Sequence, residues 1–166
     1  MGNAEHITQK QQRLEQNIAN VRFSLSGKTE NLACGGLVGC GLISSKNNYA
    51  QGQIDLLNLS GSGYVGGLYG KYQNSNLKEE ILHSYANVDI SNNNFKQGNL
   101  IGGLGGKIRQ CFAVGEYNSN ITSTPYLHDL ASVSESLILI DKLYDSSLNF
   151  DGSIWLLTDI DYPRLK

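Results

Sequence analysis

Side chains able to do chemistry are few in this chain and poorly grouped. His6, His83 and His128 have no cysteine or carboxylate at metal-ligand spacing, so the sequence offers no zinc set. Asp159 and Asp161 stand two apart but lack the glycine and further oxygen donors of a calcium loop, and read as a solvated strand face. Glu79 and Glu80 are adjacent, and Asp89 and Glu116 share one outward parity; neither pair makes a strong acid and base set for glycoside chemistry. The glycine run Gly102 to Gly106 lacks the Lys-Ser/Thr that completes a phosphate loop. The expectation is therefore no catalytic residue, no bound cofactor and no metal.

Three cysteines leave at least one thiol unpaired. Cys34 reads as a small core residue, Cys111 occupies a boundary position held elsewhere by Asn48 and Ser84, and a Cys34–Cys40 bridge is neither required nor excluded. Candidate binding residues are of another kind. Tyr72, Asn74, Lys78 and Glu79 lie in a polar stretch from Lys71 to His83, and Tyr49, Tyr85 and Phe112 recur at one position of a repeat.

That repeat is what must position them. Ile18-Ala19-Asn20-Val21, Tyr49-Ala50-Gln51-Gly52, Tyr85-Ala86-Asn87-Val88 and Phe112-Ala113-Val114-Gly115 are copies of one motif. A glycine pair follows three of them, at Gly35-Gly36, Gly66-Gly67 and Gly102-Gly103; the offsets 35−18, 66−49 and 102−85 are each 17. The first motif alternates with a period of two: Ala19, Val21, Phe23; Ala50, Gly52, Ile54; and Ala86, Val88, Ile90 face a core, while Asn20, Arg22, Gln51, Gln53, Asn87 and Asp89 face outward.

In the second motif, apolar residues on both sides of the glycine pair require a corner, which glycine supplies through positive φ or close backbone approach. From the pair to the next strand the spacing varies, 49−36 = 13, 85−67 = 18 and 112−103 = 9, so insertions fall on that side. Stacked coils would place Tyr49, Tyr85 and Phe112 in a ladder, either covered by a loop or the N-terminal helix, or open as a platform for sugars or a partner.

The glycine motifs Gly36-Leu37-Val38-Gly39, Gly67-Leu68-Tyr69-Gly70 and Gly103-Leu104-Gly105-Gly106, with Tyr49-Ala50 and Tyr85-Ala86, resemble the GLUG motif. That motif occurs in arrays in bacterial surface and secreted proteins, including adhesins and some secreted peptidases. The resemblance covers residues 18 to 117, and the ending Trp155 to Leu165 is similar to segments that close such arrays. It implies an all-β fold, a parallel β-solenoid or β-helix of about four coils, and no particular chemistry.

An amphipathic stripe of Ala4, Ile7, Leu14, Ile18 and Val21 predicts a capping helix over 1–17, with a short coiled coil as the other reading. Repeats then occupy 18–117 and a cap 118–166. Within the cap, Leu137 to Ile140 reads as a strand, and a hairpin turns at Asp151-Gly152 with Ile154 to Leu157 on one arm. Trp155 and Pro163 would plug the last coil.

Composition fits one domain of 166 residues, with 40% hydrophobic content for a core and a surface of Asn, Ser, Gln and Gly where charge is only 17%. Lys+Arg 13 against Asp+Glu 15 provides no basic footprint, so nucleic acid is not an expected partner. No apolar run reaches the roughly 20 residues that span a bilayer. The N-terminus lacks the basic-then-apolar order of a secretory signal, so an exported chain would carry its signal elsewhere or of another kind. Two functions follow as expectations. One is a non-enzymatic binding, adhesion or spacer module, secreted or on a bacterial cell surface, whose partner is a protein or glycan of a host cell or matrix. The other is a carbohydrate-active β-helix enzyme or an accessory domain of a secreted peptidase.

Overall fold

The computed structural model describes residues 13–41, 43–73, 80–91, 94–105, 107–114, 127–128, 131–133, 150–158 and 161–166. In chain order the strands are β1 (Arg13–Glu15), β2 (Ile18–Gly35), β3 (Val38–Gly41), β4 (Ser44–Lys46), β5 (Tyr49–Gly66) and β6 (Tyr69–Gln73). Then come β7 (Glu80–Leu82), β8 (Tyr85–Ser91), β9 (Lys96–Gly98), β10 (Ile101–Gly105), β11 (Lys107–Arg109) and β12 (Phe112–Val114). The series ends with β13 (Leu127–His128), β14 (Ala131–Val133), β15 (Trp155–Thr158) and β16 (Asp161–Leu165).

The protein is all-β, with parallel sheets arranged in a β-helix-like way. One sheet runs β1-β4-β7-β11-β13, a second β10-β6-β3, and a third β14-β12-β8-β5-β2 with β9 also on β5. From β1 to β12 the chain visits the three in rotation, so each circuit lays a new strand parallel to its predecessor. Ala19, Ala50, Ala86 and Ala113 are register partners along the third sheet, as are Phe23, Ile54 and Ile90. Ala50, Ile54, Ala86 and Val88 are buried in one core with Val65, Leu68, Ile81, Leu100, Ile101 and Ile108, and Ala19, Val21 and Phe23 pack against it. The period of two thus selects the inward face, and burying each large member contributes on the order of 1.5 to 3 kcal/mol.

The glycine corners work by close approach rather than positive φ. A Cβ built on Gly36 would lie 2.3 Å from the Gly67 carbonyl oxygen and 2.8 Å from the Ala50 Cβ; one on Gly67 would lie 2.2 Å from the Asn99 oxygen and 2.7 Å from the Ala86 Cβ. The glycine of one circuit is therefore seated on the alanine of the next, which ties the two motifs together.

The third glycine copy sits in a different register from the one its sequence suggests. Gly66 pairs with Gly98, and the Gly67 and Leu68 amides donate to Asn99 and Leu100 as Gly36 and Leu37 donate to Gly67 and Leu68. Gly98-Asn99-Leu100 is thus the corner, and Gly102 and Gly103 lie beyond it in β10. The constant offset of 17 fails in this circuit, where 98−85 = 13. Spacing from corner to next strand becomes 49−35 = 14, 85−66 = 19 and 112−98 = 14, so only the second circuit carries an insertion there. The missing four residues come from the long strand, and among the described residues Leu56 to Ser62 of β5 has β2 but no third-circuit strand beside it.

Other expectations change too. Arg13–Glu15 is a strand paired with Ser44–Lys46, not the end of a helix. Leu14 lies on a strand whose neighbour Ser45 is buried, and a single apolar residue flanked by polar ones fits a strand as well as a helical stripe. The rest of the proposed helix, 1–12, lies outside the described residues, as does the strand expected at 137–140. Parallel pairing continues past Tyr117, through Ile108 with Leu127 and Phe112 with Ala131. The C-terminal hairpin of β15 and β16 is antiparallel and reverses between Thr158 and Asp161, whereas Asp151 begins a turn whose carbonyl accepts from the Ile154 and Trp155 amides.

Candidate binding surface

At the corner before β2, β5, β8 and β12, the residue with positive φ is not glycine: Gln16 (56°), Asn47 (55°), His83 (45°) and Gln110 (51°). Asn tolerates this conformation better than most residues; the recurrence in Gln and His marks a geometry imposed by stacking. The following residues form a polar ladder. Asn17 donates its backbone N–H to Asn48 Oδ1 at 2.8 Å, Asn48 to Ser84 Oγ at 3.1 Å, and Ser84 to Cys111 Sγ at 3.4 Å. Cys111 thus ends a chain of side-chain acceptors, and burial pushes its thiol up to about 12. Cys34 is also buried and raised to about 11 by desolvation, Cys40 is exposed, and all three are free thiols.

One residue further on, Tyr49, Tyr85 and Phe112 form the expected ladder, with centroids 5.0 and 4.7 Å apart and planes within 5°. It is closed to ligands. Trp155 and Phe150 lie across the rings, with Trp155 6.0 Å from Tyr49 and 5.9 Å from Tyr85, and Phe150 5.6 Å from Phe112. Tyr85 is 1% exposed, and its hydroxyl donates to the Pro163 carbonyl. The cover comes from the C-terminal segment, with Phe150 on Phe112 and the hairpin residue Trp155 against the flank of two circuits, at Tyr49 and Tyr85, instead of plugging the last one. Its indole N–H donates to Asn47 Oδ1 at 3.2 Å.

Beside this cluster sits His83, 6.0 Å from Phe150 between ring centroids. Burial lowers its imidazole below the ordinary value, Lys46 and Arg109 add to the lowering, and the Gln110 side chain and Asp151 oppose it.

Of the loop candidates, Tyr72 is fully buried and packs edge-on against Tyr69 at 5.5 Å, so it anchors β6 and is not a surface residue. Asn74, Lys78 and Glu79 lie outside the described residues. Glu80, at the start of β7, is 3.7 Å from Arg109.

What stays open is the remainder of the third sheet's outer face. Two residues along from the aromatic ladder, Asn20, Gln51 and Asn87 are register partners; two further along, so are Arg22, Gln53 and Asp89. Gln51 Nε2 donates to Asn20 Oδ1 at 2.6 Å. With Val21 and Gly52, residues of these rows line an open groove of about 490 Å³. By strand spacing, Arg22 and Asp89 stand about 10 Å apart, one at each side of Gln53. The surface offers amide donors and acceptors between one cation and one anion, a set that hydrogen-bonds neutral polar ligands such as sugar hydroxyls or peptide groups. The alternation that exposes these residues was legible, and alignment of the repeat copies already set them side by side.

Among the described residues no three His, Cys, Asp or Glu side chains converge, and no helix is long and apolar enough to cross a membrane. No protein-family model, curated protein or solved structure matches the chain.

Proposed function

We propose that the protein is a non-enzymatic binding module, a parallel β-solenoid of the GLUG-motif kind, secreted or displayed on a bacterial surface. Its partner is a neutral glycan or protein segment of a host cell or matrix, held along the outer face of the third sheet. The observation that carries this reading is the pair of outward rows, Asn20-Gln51-Asn87 and Arg22-Gln53-Asp89, held in cross-strand register over a core of stacked aliphatic residues. The backbone behind these rows is fixed, so binding has to order side chains but not the strands that carry them.

The test is an array of neutral glycans and immobilised matrix proteins, probed with wild type and with Gln51→Ala/Asn87→Ala. Loss of two neutral hydrogen-bonding groups should weaken binding by about tenfold or more while melting is unchanged. Undiminished binding by the folded double variant would reject this face.

A further inference from the structure

A second cavity lies away from that groove, at the far end of the long strands. It is about 270 Å³ and is lined by Asn31, Leu32, Ser62, Gly63, Tyr64, Lys71, Asn94 and Lys96. Its centre is the Tyr64 ring. Lys71 Nζ stands 5.2 Å and Lys96 Nζ 5.5 Å from the ring centroid. The fold builds this arrangement from three strands: Tyr64 and Lys96 are register partners on β5 and β9, and Lys71 comes from β6.

Gly103, the register partner of Lys71, makes room for the ring. A Cβ there would lie 2.6 Å from Tyr64 Cδ1, so the glycine that reads as a corner in the sequence is the seat of this tyrosine.

Each ammonium lies within cation–π range of the ring, and each keeps a full positive charge that a ligand anion can meet. Among the described residues neither Lys71 nor Lys96 is in an ion pair. The cavity therefore presents two cations around an aromatic plane, with Asn31, Asn94 and Ser62 supplying neutral polar groups at the rim. A ligand that matches has a carboxylate that draws a lysine off the ring, an apolar face that takes the lysine's place over the tyrosine, and hydroxyls for the amides.

We infer that this cavity takes a carboxylated sugar unit, such as the uronic acid residue of an acidic glycan. The volume suits one small ring rather than a base with its ribose and phosphate, because it falls below the usual 300–1,000 Å³ of drug-sized pockets. The site is separate from the amide groove, so an acidic glycan could be bound whether or not that groove binds a neutral one.

The experiment is a titration of the intact protein, followed by amide chemical shifts, with methyl glucuronide, methyl glucoside, inorganic phosphate and adenosine monophosphate as probes. The glucuronide should move the resonances of Tyr64, Lys71 and Lys96 and bind about tenfold more tightly than the glucoside. Lys71→Gln and Lys96→Gln should each cost about threefold, and together they should erase the preference for the acid. Tyr64→Ala should weaken both sugars. Shifts confined to other residues, no binding, or equal binding of glucuronide and glucoside would overturn the assignment. So would phosphate or adenosine monophosphate binding at least as tightly at the same residues, which would mark a simple anion or nucleotide site. Gln51→Ala/Asn87→Ala should leave glucuronide binding intact; its loss in that folded variant would also refute a separate site.

Discussion

Truncating Tyr85 tests the joint between the repeats and their cover. The ring is almost wholly buried, stacks on Tyr49 at 5.0 Å and on Phe112 at 4.7 Å, meets Trp155 at 5.9 Å, and carries a hydroxyl bonded to Pro163. Tyr85→Ala removes all of these and leaves a cavity in the middle of the ladder. Large-to-small changes at such aromatic sites cost about 3–5 kcal/mol. For a chain of this size that lowers Tm by about 10 °C, since each kcal/mol shifts it by about 2–4 °C.

Tyr85→Phe isolates the hydroxyl. It keeps both stacks but leaves the Pro163 carbonyl without its donor, at a cost of about 1 kcal/mol. Urea unfolding followed by far-ultraviolet circular dichroism gives the global loss, and fluorescence of Trp155, the single tryptophan, reports the hairpin directly. A Tyr85→Ala protein within about 1 kcal/mol of wild type would refute the buried ladder, because no packed aromatic core of this kind tolerates the change so cheaply.

Gly67→Ala, whose Cβ would meet the Asn99 carbonyl at 2.2 Å, should cost about 1–3 kcal/mol in a urea melt, whereas Gly152→Ala, with nothing within 4 Å, should stay within about 0.5 kcal/mol. Stability should fall as pH drops through 6.5, because the unfolded chain takes up a proton that half-buried His83 resists, and His83→Gln should flatten that limb of a plot of urea midpoint against pH. At the alkaline end unfolded thiols ionise from 9.0 while Cys34 and Cys111 hold their protons to about 11 and 12, so stability should fall again above 9.0, and less in a Cys111→Ser variant. Replacing residues 74–79 with a short Gly-Ser turn, sparing buried Tyr72 and the Glu80–Arg109 pair, should leave the melt within about 0.5 kcal/mol; if binding on the array also persists, the insertion is not the recognition element.

The alternation along Ile18 to Phe23, Tyr49 to Ile54 and Tyr85 to Ile90 was legible because a strand with one face on a core must repeat every two residues. Alignment of those copies then predicted the parallel register, residue for residue. The glycine motif misled where two candidate corners lay four residues apart. Gly102-Gly103-Leu104 looks more like Gly67-Leu68 than Gly98-Asn99-Leu100 does, yet the chain turns at the latter and uses Gly103 to admit the Tyr64 ring. Local pattern cannot separate a glycine that makes a corner from one that makes room. Nor could it show that the hairpin covers the aromatic ladder, since the bonds Tyr85 to Pro163 and Trp155 to Asn47 join residues 78 and 108 positions apart. The polar ladder was half visible: Asn48, Ser84 and Cys111 were aligned as one position, but the positive φ before them falls on Asn, His and Gln in turn, so no single residue type marks the corner.

The outer face of the third sheet divides between stability and recognition along each strand. The first residue of each repeat, Tyr49, Tyr85 or Phe112, is sealed by Trp155 and Phe150; in the first circuit the same position holds Ile18, which is 49% exposed and beyond the hairpin's aromatic cluster. In the first three circuits the third and fifth residues are polar and face outward, about 7 and 13 Å further along the strand at its usual rise. Inward positions and the sealed ladder hold the circuits together, so changes at Asn20, Gln51, Asn87, Arg22, Gln53 or Asp89 meet solvent and few structural partners. The same separation holds at Tyr64, where the lysines come from separate strands and neither joins the core. Binding chemistry can therefore vary on both surfaces without disturbing the stacked interior, as a repeat scaffold permits when each circuit is held mainly by its neighbours.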